Sequence, residues 1–194
     1  MSGAPTRRLF FALWPDQEQR AGLNRAAARI VRRCGGRPVP EENLHVTLAF
    51  LGSVPEPRVE ELSTVGRRAA ATFPDDTLPI TVSLETPEHW AKAQVLAVLG
   101  RDDETAAAAS GAAALARILS AGAVAAGFSP DLKPFRAHVT VARKVERPPR
   151  ALEMRKVEWS FDEFALIESR TLEKGPVYSV VESYALGGAG KVRT

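Results

Sequence analysis

Two of the chain's three histidines open the same short pattern. Leu44-His45-Val46-Thr47-Leu48-Ala49-Phe50 and Ala137-His138-Val139-Thr140-Val141-Ala142-Arg143 both read His-Val-Thr-aliphatic-Ala, 93 residues apart. An imidazole titrates close to neutrality, so it gives or takes a proton at physiological pH, and a threonine hydroxyl donates a hydrogen bond. Along a strand, residues two apart project to one face. His45 and Thr47 therefore share a face, as do His138 and Thr140, while Val46, Leu48, Val139 and Val141 point the other way. Two such strands facing each other put two imidazoles and two hydroxyls around one small volume. That is an acid–base pair with hydrogen-bond donors between its members.

Other reactive types offer less. His89, in Thr86-Pro87-Glu88-His89-Trp90, has no threonine at the matching offset and no flanking alternation, and reads as an exposed loop histidine. Trp90 beside it reads first as a ring folded over the core, with stacking on a base as the alternative. Cys34 is the only cysteine, which excludes an internal disulfide and a thiolate metal cluster. It lies at the end of an arginine-rich helix with no histidine near it in sequence, and is a poor nucleophile. Two histidines from distant strands would be a start for zinc, but a third ligand is missing near either motif.

The elements that must position these residues are readable from periodicity. Arg7 to Trp14 is a buried strand, its apolar run from Leu9 ended by Pro15. Asp16 then caps a helix, with Gln19 completing a capping box, and Leu23, Ala27, Ile30 and Val31 form its apolar stripe up to Gly35-Gly36. Arg20, Arg25, Arg29, Arg32 and Arg33 on its other faces read as a solvated surface before an RNA-docking one. An extended Arg37-Pro38-Val39-Pro40 leads into the first histidine strand, and Pro55-Glu56-Pro57 starts a second helix with Val59, Leu62, Val65 and Ala69 on its buried side. Two strands follow, 78–84 and 95–99, with 86–90 as the loop between them. An alanine-rich helix runs over 105–126 and closes at Gly127. After the second histidine strand come a basic loop, Arg143 to Arg150, then strands 158–168 and 176–186 as a closing hairpin.

This order is α+β: two lobes of mixed or antiparallel sheet with helices packed outside, and a central cleft taking one His-x-Thr strand from each lobe. One domain across 1–194 suits the length and the absence of a low-complexity linker. The hydrophobic fraction is 45% and the charged fraction 25%, ordinary for a globular protein, and a net charge of +3 favours an anionic ligand only weakly. The opening residues lack the charged-then-apolar layout of a signal peptide, and no apolar run approaches a membrane span. The expected setting is the cytoplasm.

The paired strands resemble the two signature motifs of the 2H phosphoesterase superfamily, and the chain is most similar within it to the RNA 2′,3′-cyclic phosphodiesterases, also called 2′-5′ RNA ligases. Arg8 to Pro15 resembles that family's opening strand, Asn43 to Gly52 its first motif with flanks, and Phe135 to Arg143 its second. Leu166-Ile167-Glu168-Ser169 with Gly175 and Tyr178 resembles its late hairpin. Ala137 departs from a proline common before the second histidine, and residues 75–130 match poorly. The resemblance implies His45 and His138 as the catalytic acid and base, Thr47 and Thr140 on the phosphate, no cofactor and no metal. It also implies an RNA or nucleotide partner ending in a 2′,3′-cyclic phosphate, no membrane partner, and a monomer. Ring opening at the 3′ oxygen leaves a 2′-phosphate, with His45 as acid and His138 as base; the reverse reaction is 2′-5′ joining. Arg143 is a further phosphate contact, being cationic and forked, although on a regular strand its odd offset from His138 turns it away, so a bulge or strand end must intervene. The rival readings are a non-catalytic RNA- or nucleotide-binding module, and a superfamily member acting on another cyclic nucleotide or a 2′-5′ oligonucleotide.

Overall fold

The computed structural model describes residues 5–100, 110–131, 133–146, 153–172 and 175–187. The expected turn after Gly100, the first residues of the alanine-rich helix, most of the basic loop and the tail lie outside them. Among the described residues, nine strands form two sheets, antiparallel throughout. One sheet runs β3 (Val46–Pro55), β1 (Thr6–Leu13), β8 (Glu163–Leu172), β9 (Gly175–Ala185). The other runs β2 (Arg37–Pro38), β6 (His138–Arg143), β5 (Val95–Gly100), β4 (Ile80–Trp90), β7 (Val157–Phe161). His45 immediately precedes β3 and His138 opens β6, so each sheet carries one motif.

Among the described residues, three α-helices cover the sheets. Asp16 caps α1 (Gln17–Arg33) through the expected box: its carboxylate accepts from the Gln19 amide, and the Gln19 side chain accepts from the Asp16 amide. Although α1 follows a strand of the first sheet, it packs on β7 and β6 of the second. Trp159, fully buried on β7, donates its indole N–H to the Gln19 carbonyl at 2.9 Å and fixes that docking. Helices α2 (Val59–Thr72) and α3 (Gly111–Ala125) pack on each other and against β3, β4, β8 and β9. Neither lobe corresponds to one half of the sequence.

A single core joins the sheets, with Leu9, Phe11, Leu13, Phe164 and Leu166 from one and Leu84, Leu96, Val98 and Trp159 from the other. Because β1 is central, its opposite face is buried too, where Phe10, Ala12, Ala165 and Ile167 form a smaller cluster bordered by Trp14, Phe50 and Tyr178.

Two readings need correction. The supposed loop 86–90 is strand, since β4 continues to Trp90 and pairs with β5 throughout. Pro87 lies opposite Val98 of β5 but beyond the reach of β7, which pairs only with Ile80 to Leu84, so it sits on an edge stretch of β4, where proline is found. The single strand expected over 158–168 is two strands in different sheets: the chain leaves β7 at Phe161, turns at Asp162 and enters β8. The polar pair Asp162-Glu163, both exposed, interrupts the apolar alternation at the junction. The alanine-rich helix begins at Gly111, with the Ser110 hydroxyl accepting from the Ala113 amide as its cap. No helix among the described residues is long and apolar enough to cross a membrane.

Candidate active site

Both motifs fold with the same irregularity. In β3 the partner register passes from Phe11 opposite Ala49 to Ala12 opposite Thr47, leaving Leu48 extra. In β6 it passes from Leu96 opposite Ala142 to Ala97 opposite Thr140, leaving Val141 extra. Each is a β-bulge three residues after the histidine, and an extra residue resets which face the following side chains take. The aliphatic-Ala doublets, Leu48-Ala49 and Val141-Ala142, accordingly all lie in the core. The residue five after each histidine returns to the histidine's face. Arg143 is thus brought beside His138 and Thr140 by the bulge that its offset demanded, and Phe50 is brought beside His45 and Thr47.

These faces meet around a cavity of about 390 Å³. His45, Thr47, His138, Thr140 and Arg143 all line it, so the structure brings all five sequence-selected residues together. The β8–β9 hairpin contributes Ser169, Thr171, Pro176 and Tyr178, and β1 contributes Arg8 and Phe10. Among the described residues the lining holds two arginines and two histidines and no carboxylate or thiol. The arginines, histidines, hydroxyls and Asn43 among these residues offer an anion positive charge and hydrogen-bond donors.

Each imidazole is oriented by the carbonyl two residues before it. His45 Nδ1 lies 2.7 Å from the Asn43 carbonyl and His138 Nδ1 lies 2.8 Å from the Arg136 carbonyl. A carbonyl only accepts, so Nδ1 carries the proton in both rings and Nε2 is left for chemistry. In neutral His45, Nε2 accepts from the Thr47 hydroxyl at 3.2 Å. Asn43 is buried and its side-chain amide donates to the Pro176 carbonyl at 3.0 Å, tying the residue that orients His45 to the hairpin opposite.

The surroundings of the two rings differ. His45 is caged by Phe10, Trp14 and Tyr178, with ring centroids 4.9, 5.6 and 5.2 Å away. Burial in this cage pushes its pKa down to about 4; the bond to Asn43 opposes the shift, while the facing charges of His138, Arg143 and Arg20 add to it. His138 rests against Trp90, centroids 4.6 Å apart, and burial lowers its pKa as well, opposed by the Arg136 carbonyl. Trp90 therefore packs on the second motif, its N–H donating to Glu88 at 2.8 Å. His89 is half-buried, contrary to the exposed-loop expectation, and its Nε2–H donates to the Val145 carbonyl at 2.8 Å. It is a structural residue, away from the cavity lining.

Sequence reasoning did not single out Arg8, Phe10 or Asn43 as site residues. The guanidinium of Arg8 lies 4.8 Å from the Phe50 ring centroid at the cavity edge. Period two on β1 was the available signal: Arg8 shares a face with Phe10. Asn43 had no such signal, since its role rests on a hydrogen bond to a carbonyl 133 residues away in sequence.

The family model of LigT-like phosphoesterases matches residues 13–81 and 104–178. The chain is 33% identical to an RNA 2′,3′-cyclic phosphodiesterase of Thermus thermophilus, covering 93% of this chain and 91% of that protein. It is 29% identical to the RNA 2′,3′-cyclic phosphodiesterase of Escherichia coli, covering 93% and 97%. The fold superposes on the crystal structure of Escherichia coli LigT complexed with 3′-AMP with a TM-score of 0.78 at 26% identity, over 95% of this chain and all of that one.

Proposed function

The chain belongs to the LigT-like phosphoesterases of the 2H superfamily, and from that premise we propose that it hydrolyses RNA 2′,3′-cyclic phosphate ends to 2′-phosphomonoesters, as a cytoplasmic monomer and without metal. The observation that carries this reading is the pair of bulged His-x-Thr strands, one from each sheet, bringing two histidines, two threonines and Arg143 to one cavity.

His138 takes a proton from water, the water oxygen bonds to phosphorus, the bond from phosphorus to the 3′ oxygen breaks, and His45 gives its Nε2 proton to that oxygen. Thr47 releases His45 and, with Thr140, donates to the non-bridging oxygens as negative charge grows on them. Arg143 holds the same oxygens from the β6 side. In the free protein the electrostatics run against this assignment, because His45 is the weaker holder of a proton. The bound phosphate supplies the missing anion: placed against Nε2 it favours imidazolium at His45, so substrate and proton arrive together. Run in the same direction with a 5′-hydroxyl attacking in place of water, the steps form a 2′-5′ bond, and run backwards they open one to the cyclic phosphate.

The test is turnover of a nucleoside 2′,3′-cyclic phosphate by parent, His45→Ala and His138→Ala proteins. Each variant is expected to lose roughly a hundredfold or more in kcat, the usual range for an acid–base group, while keeping the parent's circular dichroism. Near-parent turnover in either variant overturns the two-histidine mechanism. A parent that binds cyclic nucleotide without turnover marks a binding module instead.

A further inference from the structure

A second cavity, about 530 Å³, adjoins the first and shares Thr47, Phe50 and His138 with it. Its lining takes Ala113, Ala116, Arg117 and Ser120 from α3, together with Trp90, Pro134, Phe135 and Arg136. The mechanism above uses nothing in it beyond the shared residues. We propose that this groove is a subsite for the penultimate nucleotide, the one on the 5′ side of the cyclic-phosphate terminus of the same RNA strand. The proposal rests on the functional reading just given and extends it to the substrate's length.

Three observations carry it. The first is continuity: the shared residues sit where the reacting phosphate must lie, so a strand with its terminal nucleoside in the first cavity has its next unit beside the second. The second is surface chemistry. Ala113 and Ala116 of α3 line the groove together with Phe135 and Trp90, apolar and aromatic groups of the kind that accept a base by stacking and van der Waals contact without reading its edges. The third is charge. Arg117 is exposed and pairs with none of the described acidic groups, leaving its guanidinium for a phosphodiester. The other two cations on the groove are engaged, Lys133 with Asp131 at 2.9 Å and Arg136 with Glu88 at 3.0 Å. Among the described residues, one unpaired cation beside apolar and aromatic groups fits one nucleotide unit.

The experiment compares kcat/KM for a mononucleoside 2′,3′-cyclic phosphate and for the dinucleotide bearing the same cyclic end, using parent, Arg117→Glu and Ala113→Phe proteins. The parent is expected to prefer the dinucleotide about tenfold or more, the worth of one base stack by the usual scale. Both variants are expected to erase that preference while turning over the mononucleotide at the parent rate, which also shows that they fold. Equal use of the two substrates by the parent overturns the subsite. So does a preference that survives both variants, including the case in which they impair only the joining of a separate 5′-hydroxyl strand. Absence of mononucleotide turnover in the parent is a failure of the functional reading and is separable from these outcomes.

Discussion

At the scale of residues, the two histidines differ only by what surrounds them. The resemblance makes His45 the acid, and its cage of Phe10, Trp14 and Tyr178 makes it the poorer proton holder. A substrate with sulfur at the 3′ leaving position decides the roles, because a thiolate departs without a proton. Such a substrate should restore most of the turnover lost in His45→Ala and little of that lost in His138→Ala; the reverse pattern exchanges the roles. The same environments set the pH dependence. Free-enzyme pKa values lie at about 4 for His45 and below 6.5 for His138, and the active form carries one proton on the pair. The kcat/KM profile is therefore a bell with its maximum on the acid side of pH 6.5, whereas the phosphate-bound complex holds its proton to higher pH and shifts the alkaline limb of kcat upward. A kcat/KM that climbs steadily past pH 8 contradicts this.

At the scale of elements, the site depends on two bulges that a regular strand pattern hides. The His-x-Thr faces were legible because period two holds as far as Thr47 and Thr140. Beyond them the alternation breaks, and the adjacent buried residues Val141 and Ala142 were the visible trace of a bulge. Arg143 could be named from its chemistry, but its direction depends on an inter-strand register set by β5. The cap of α1 was legible for the opposite reason, since Asp16 and Gln19 act within one turn. What escaped were long-range events: the strand character of 86–90, decided by where β7 stops, and the crossing from β7 to β8, decided by which sheet has room. Docking of α1 is equally non-local, and it sets a prediction. Trp159→Ala removes a fully buried indole and its hydrogen bond to Gln19, and should lower unfolding free energy by about 3–5 kcal/mol, read by denaturant titration. A loss below about 1 kcal/mol would mean that α1 docks without it.

At the scale of the whole molecule, one core spans two sheets and the catalytic groups sit where those sheets face each other, so protonation and folding are linked. A histidine whose pKa is lower folded than unfolded binds more protons when unfolded, so stability rises with pH between about 4 and 6.5 and is lost as acid charges His45. Glu168 acts in the same direction: hydrogen bonds from Arg170 and Arg7 hold its carboxyl below the usual range, and the stability it gives disappears as pH falls through that lowered value. Thermal midpoints should drop from pH 6.5 to pH 4, and His45→Gln should flatten the upper part of that drop; an unchanged slope would remove His45 from the linkage. The central claim concerns the reaction itself. A nucleoside 2′,3′-cyclic phosphate incubated with the protein and excess chelator, with 2′- and 3′-phosphate products resolved chromatographically, tests it most directly. The account predicts undiminished turnover and a 2′-phosphate product. Turnover that stops with chelator, or a 3′-phosphate product, contradicts it.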